Sequence, residues 1–258
     1  MTTDGNWIRE TLGAVLERVQ REQAAAEEHA RTCTDRPCER CGRYLCRRCG
    51  AAVDGRKSCD ACDLAAHHEA LLEPTRTSIP PHFRWAYQVP LAQLQARVQA
   101  APELVRRGLE NPPSSGLLFL GPTGSGKTSL AVAMLDAWVR AAPGERTGAL
   151  FVEATWLSRA RARHRLGADE APLVRAAMTC PLLVLDDLGS EREDRDGCIT
   201  DVVWTRTNND LPLWVTSGLA SEEQTLEAFA AAIARRYDGG FARRIIETSK
   251  RVALGGKS

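Results

Sequence analysis

An eight-residue segment, Gly121-Pro-Thr-Gly-Ser-Gly-Lys-Thr128, leaves this chain little choice of architecture. It fits G-x-x-x-x-G-K-[ST], follows the apolar run Leu117-Leu-Phe-Leu120, and leads into a helix-forming run, Lys127–Ala142. A strand that enters such a loop and leaves it as a helix curls successive backbone N–H groups around a phosphate. The candidate cradle is Gly121, Pro122, Thr123, Gly124, Ser125, Gly126, Lys127, Thr128 and Ser129. Lys127 is placed to reach the β and γ oxygens of a nucleoside triphosphate, and Thr128 to set its hydroxyl on Mg²⁺.

Such a loop needs carboxylates on a neighbouring strand, and Leu182-Leu-Val-Leu-Asp186-Asp187 supplies them about sixty residues after Lys127. Asp186 is expected to hold Mg²⁺ through its water shell, and Asp187 to orient or deprotonate an attacking water. Around these segments apolar runs alternate with helical patterns. Strands are expected at Gly116–Leu120, Ala149–Ala154, Leu182–Leu185, Leu213–Thr216 and near Arg251–Leu254. Helices are expected at Lys127–Ala142, around Trp156–His164 and Ala171–Thr179, near Ile199–Asn209 and at Ser221–Arg236. The alternation predicts an α/β fold, a mainly parallel sheet sandwiched by helices.

With 258 residues, 43% hydrophobic and 26% charged, the chain can bury a full core and a smaller module beside it. Its 34 Lys and Arg nearly cancel 33 Asp and Glu, so no global field draws it to nucleic acid or an anionic membrane. No apolar run approaches the roughly 20 residues of a spanning helix. The opening MTTDGNWIRE is polar and acidic where a signal peptide is basic and then apolar. The expected location is the cytoplasm, without a membrane partner.

Seven of the nine cysteines crowd residues 33–62, a stretch with almost no large apolar side chains. Such a piece needs a metal for stability. The pairs Cys38/Cys41, Cys46/Cys49 and Cys59/Cys62, with Cys33 and His67 or His68, give about eight ligands, enough for two closed tetrahedral zinc sites. Zinc is favoured over an iron–sulfur cluster or redox dithiols. A ribbon of Cys46, Cys49, Cys59 and Cys62 leaves Cys33, Cys38, Cys41 and a histidine for a second ion; an interleaved cross-brace uses the same residues otherwise. Arg36, Arg40, Arg43, Arg47, Arg48, Arg56 and Lys57 make a local basic cluster, partly offset by Asp35, Glu39, Asp54, Asp60 and Asp63. The expected organisation is an amphipathic helix over 1–30 with Ile8, Leu12, Val15, Leu16 and Val19 on one face, a zinc module over 31–68, a linker over 69–82 ending in Pro80-Pro81, and the α/β domain over 83–258.

The second part of the chain, about 79–258, resembles the AAA+ ATPases of the DnaC/DnaI helicase-loader and IstB clade. The resemblance is carried by Ile79-Pro-Pro-His-Phe83, the Gly121–Thr128 loop, Leu183-Val-Leu-Asp-Asp-Leu-Gly-Ser-Glu191, Arg206 with Asn208-Asn209 and Leu211-Pro212, Val215-Thr-Ser217, and Arg235-Arg-Tyr237 through Ala242-Arg-Arg-Ile-Ile246. It implies ATP as ligand, an AAA+ core without the C-terminal helical lid of larger members, and ATP hydrolysis. Thr216 and Ser217 fall where the family's sensor-1 group contacts the γ-phosphate or lytic water, and Ser217 is the candidate catalytic hydroxyl. Gly218 stands where members usually carry Asn, a departure that bears on hydrolysis more than on binding. Arg244 matches the arginine that reaches a neighbouring subunit's γ-phosphate, although Gly240 replaces that motif's earlier arginine; its alternative role is a solvated or salt-bridged helix face. The implied partners are a replicative DnaB-family helicase, gripped by the zinc module, single-stranded DNA, and further copies of the chain. The same residues also suit an IstB-like transposition helper, or a hydrolysis-poor nucleotide-dependent adaptor.

Overall fold

The computed structural model describes residues 43–45, 52–54, 60–164, 169–219 and 225–255. The expected helix over 1–30 and the zinc candidates Cys33, Cys38, Cys41, Cys46, Cys49 and Cys59 lie outside the described residues. The chain divides into two compact units, Met1–His67 and His68–Ser258.

In the first unit, β1 (Arg43–Leu45) pairs antiparallel with β2 (Ala52–Asp54), Tyr44 opposite Val53. The segment joining them, 46–51, contains Cys46 and Cys49. Helix α1 (Asp60–Ser78) starts in this unit and carries Cys62 and His67.

Residues 69–78, expected as linker, are the rest of α1, which runs on through Pro74. Proline removes one helical donor and crowds the preceding turn. Here packing outweighs that cost: Leu72, Thr75 and Ile79 are buried, and Arg76 Nε donates to Asp136 Oδ1 at 2.9 Å. A 3₁₀ segment (Pro81–Tyr87), α2 (Leu91–Arg97) and α3 (Pro102–Glu110) follow.

The core is a five-stranded parallel sheet: β3 (Gly116–Leu120), β4 (Leu150–Glu153), β5 (Leu183–Asp186), β6 (Leu213–Ser217) and β7 (Ser249–Ala253), in the order β4-β5-β6-β3-β7. Between them run α4 (Lys127–Ala141), α5 (Pro143–Arg146), α6 (Ala154–Leu157), α7 (Pro172–Thr179), α8 (Cys198–Asn208), α9 (Leu226–Arg236) and α10 (Gly239–Thr248). The expected α/β sandwich is what forms. The expected helix around Trp156–His164 is shorter, being α6 and a 3₁₀ turn at Arg161–Arg163.

Strand periodicity divides the core in two. Leu117, Phe119, Val184 and Trp214 pack with Leu130, Leu135 and Val139 of α4 on one face. Leu118, Leu120, Leu183, Leu185, Leu213 and Val215 pack with Val202, Phe229, Phe241 and Ile245 of α8, α9 and α10 on the other. Covered on both sides, β3, β5 and β6 are buried throughout and read as apolar runs, whereas the edge strand β7 is mostly exposed and reads Ser-Lys-Arg-Val-Ala. Each fully buried Leu, Val or Phe contributes about 1.5–3 kcal/mol. The exposed edge of β4 is capped, since Phe151 N donates to Ser78 Oγ at 3.0 Å. Among the described residues no helix is long and apolar enough to cross a membrane.

Candidate functional site

β3, β5 and β6 all end on the same side of the sheet, where parallel α/β proteins bind ligands. A cleft of about 490 Å³ opens there, lined by Thr123, Gly124, Gly126, Lys127, Thr128 and Ser129 from the loop and α4. Glu153, Thr155, Asp186, Asp187 and Ser190 form the opposite side, with His82, Phe83 and Arg97 at its mouth.

The loop keeps its shape because two glycines meet backbone. A Cβ on Gly121 would lie 2.3 Å from the Leu254 carbonyl oxygen, and one on Gly126 would lie 2.9 Å from Val98 Cα. Gly126 also has φ +88°, a left-handed value that favours glycine. Residues following β7 brace this corner: Leu254 N donates to Leu120 O at 2.8 Å, and Gly255 N to Gln99 O at 2.7 Å.

Lys127 is buried and folds back on the loop, Nζ donating to Gly121 O and Pro122 O at 2.9 Å each. Burial lowers its pKa, while Asp187 and Asp186 pull it back up. Neutral carbonyls satisfy its donors without cancelling its charge, so an anion entering the cleft finds a cation already there. The first-turn amides of α4 have no intrahelical acceptors. Ser125 Oγ is buried with no hydrogen-bond partner. The open amides and the buried ammonium together fit a polyphosphate.

Asp186 accepts two hydroxyl hydrogen bonds on Oδ1, from Thr128 Oγ1 at 2.8 Å and from Thr216 Oγ1 at 2.6 Å. Burial pushes its carboxyl up to about 6; the hydroxyls oppose the rise, and Asp187 and Glu153 add to it. A hydroxyl and a carboxylate 2.8 Å apart are hard oxygen donors of the kind Mg²⁺ takes, with water filling its remaining positions. Thr216 Oγ1 also accepts from Asp187 N at 2.9 Å, holding Asp187 in a left-handed conformation with φ 56°.

Parity on β6 decides which hydroxyl reaches Asp186; neither one lines the cleft. Trp214 and Thr216 share the α4 face, whereas Val215 and Ser217 share the opposite one. Ser217, the expected catalytic hydroxyl, instead donates to Leu188 O at 2.6 Å and accepts from Leu219 N at 3.1 Å. It does not line the cleft; Thr216 takes the place beside Asp186. Nothing lies within 4 Å of where a Cβ on Gly218 would stand, so crowding does not impose glycine there.

Arg244 also stands apart from the cleft. Its guanidinium lies over the Trp204 ring, 3.8 Å from the centroid. Glu153 is a third carboxylate that the sequence reading passed over. It ends β4 in register with Asp186, and its signal was the same one, an apolar run closing on an acid.

Behind the Asp187 loop, buried Glu191 accepts from Gly189 N at 2.9 Å and from Arg236 Nε and Tyr237 Oη at 2.6 Å each. Burial, with Glu191 beside it, raises the Tyr237 pKa. The loop bearing Ser190 is thereby tied to α9.

No protein-family model matches the chain, and no curated protein matches it. Among solved structures, the crystal structure of the DnaC helicase loader is 23% identical and aligns over 72% of this chain and 98% of that one, with a TM-score of 0.51. That of DnaI is 18% identical over 72% of this chain and 93% of that one, with a TM-score of 0.46. At such identity the DnaC likeness is one of fold, a parallel five-stranded sheet with helices on its two faces.

Proposed function

We propose that this chain is an ATP-dependent loader of a hexameric, DnaB-family replicative helicase onto single-stranded DNA. The observation that carries the reading is the joined pair of Thr128 and Asp186 beside the buried Lys127, on the core shared with the DnaC helicase loader. The loop amides and Lys127 bind the phosphates, and Thr128 and Asp186 hold Mg²⁺. Asp187, set by its backbone bond to Thr216, takes a proton from the attacking water. When bound there, Mg²⁺ would supply neutralisation of the phosphate charge. Copies self-associate, and Arg244 of one completes the site of the next. The cysteine module binds zinc and grips the helicase, and ATP switches the contacts between subunits.

The test is the mass of the protein mixed with the host's replicative helicase, by light scattering after gel filtration, with and without ATP. A stable complex is expected, lost when residues 1–68 are deleted. Lys127→Ala is expected to abolish nucleotide binding and the ATP response while zinc content stays intact. No complex in either state would overturn the loader reading and turn attention to a transposase with duplex DNA, or to a nucleotide-dependent adaptor.

A further inference from the structure

Arg244 and Trp204 form a cation–aromatic pair at the seam of α8 and α10. On α10, Phe241, Ala242 and Ile245 face the core, and Arg244 stands half-buried at the edge of that stripe. On α8, Val202, Val203 and Arg206 are buried, and Trp204 stands at the corresponding edge with 38% of its surface exposed. Next in sequence, Arg243 reaches Glu247 at 3.9 Å. Among the described residues no carboxylate forms an ion pair with the Arg244 guanidinium, which lies over the indole face with Nη1 near Gly240.

That geometry has a chemical consequence. A guanidinium stacked on an aromatic ring spends its face, while its N–H donors radiate in its plane and stay available. The stack removes rotamer freedom and leaves the charge uncancelled. This is a donor fork prepared for an anion. The anion is not one bound in the same molecule's cleft, because no residue lining that cleft comes from α8 or α10.

We propose that Trp204 is a positioning residue for Arg244, holding the guanidinium by its face so that its edge meets the terminal phosphate of a nucleotide bound by a second copy of the chain. The inference rests on the reading of the protein as a self-associating ATPase, and extends it to a residue outside every segment that carries the family resemblance. Trp204 acts through Arg244 and touches no substrate. An indole serves better than an aliphatic side chain because it fixes the guanidinium plane through its π-cloud.

The experiment is steady-state ATP hydrolysis by the full chain across a range of protein concentrations, with single-stranded oligonucleotide present. The variants are Trp204→Leu, Trp204→Phe and Arg244→Ala. Arg244→Ala is expected to lower kcat about a thousandfold. Trp204→Leu is expected to lower kcat about three- to tenfold with KM unchanged, and Trp204→Phe, which keeps a ring face, to recover most of that loss. Mixing Arg244→Ala with Lys127→Ala protein is expected to restore turnover, because each supplies what the other lacks.

If Arg244→Ala turns over ATP like the parent, or the parent shows no turnover at any concentration, the ATPase-assembly reading falls and this inference with it. If Arg244→Ala is inactive while Trp204→Leu matches the parent, the finger stands and the role of Trp204 is refuted. A lower melting temperature with kcat and KM unchanged would make the stack structural only. Loss of oligonucleotide binding with unchanged kcat would assign the fork to DNA phosphates and overturn the proposal.

Discussion

Thr216 and Ser217 are adjacent hydroxyls at the end of one strand, with opposite duties. Thr216 bridges Asp186 and the Asp187 amide, while Ser217 ties the Leu188 carbonyl to the Leu219 amide. Thr216→Val keeps the shape and deletes a hydrogen bond to a charged group, worth about 1.5–3 kcal/mol, so kcat is expected to fall about 10- to 100-fold. Ser217→Ala is expected to cost about 1–2 kcal/mol of stability and leave kcat near that of the parent. Parallel urea titrations and hydrolysis assays check this, and equal losses of turnover in the two variants would refute the assignment. Lys127, Thr128 and Asp186 were legible in the sequence because each sits in a local strand-and-loop pattern whose geometry its neighbours dictate. Choosing between Thr216 and Ser217 needed the parity of β6, which depends on which face α4 covers. Trp204 carried no sequence signal at all; only the packing of α8 against α10 brings it to Arg244.

Glu191 shows how one side chain fastens a loop to a helix. Three donors converge on a carboxylate that is 1% exposed, one of them from Arg236, whose side chain stays 30% exposed. Glu191→Ala leaves the Tyr237 hydroxyl and the Gly189 amide without an acceptor, while Arg236 can hydrate, so a loss of about 2–3 kcal/mol is expected. Chemical denaturation measures it, and an unchanged midpoint would show that water replaces the carboxylate without cost. Most elements were legible from apolar runs bounded by glycine and polar residues, β3 to the residue. Helix α10 was not, because it opens on Gly239-Gly240, the poorest of starts. It forms because Asp238 Oδ1 accepts from Phe241 N at 2.6 Å and because Phe241 and Ile245 have a core to enter. The continuation of α1 was hidden by Pro74, whose local veto is overruled by the buried Leu72 and by Arg76 on Asp136, while the Pro80-Pro81 pair lies beyond the helix end at Ser78.

The division into units Met1–His67 and His68–Ser258 carries a prediction of its own. If zinc stabilises the first, a chelator is expected to melt residues 33–68 and leave nucleotide binding by the second intact. Circular dichroism and nucleotide titration before and after chelation test it; a single cooperative loss of both would refute independent units. Strand order belongs to this scale and was not legible, because β3 lies between partners about 100 and 130 residues downstream, joined by pairing that no local pattern records. The brace that Leu254 and Gly255 give the phosphate loop has a bearing on biosynthesis. At about 5–20 residues per second, a ribosome finishes the loop on the order of ten seconds before it supplies the brace. Throughout that interval the nascent chain displays a complete phosphate motif and no complete phosphate site. Under the proposed function, a chain in that interval lacks the contacts that hold the loop, so nucleotide affinity is expected to report on molecules in which β7 has already paired.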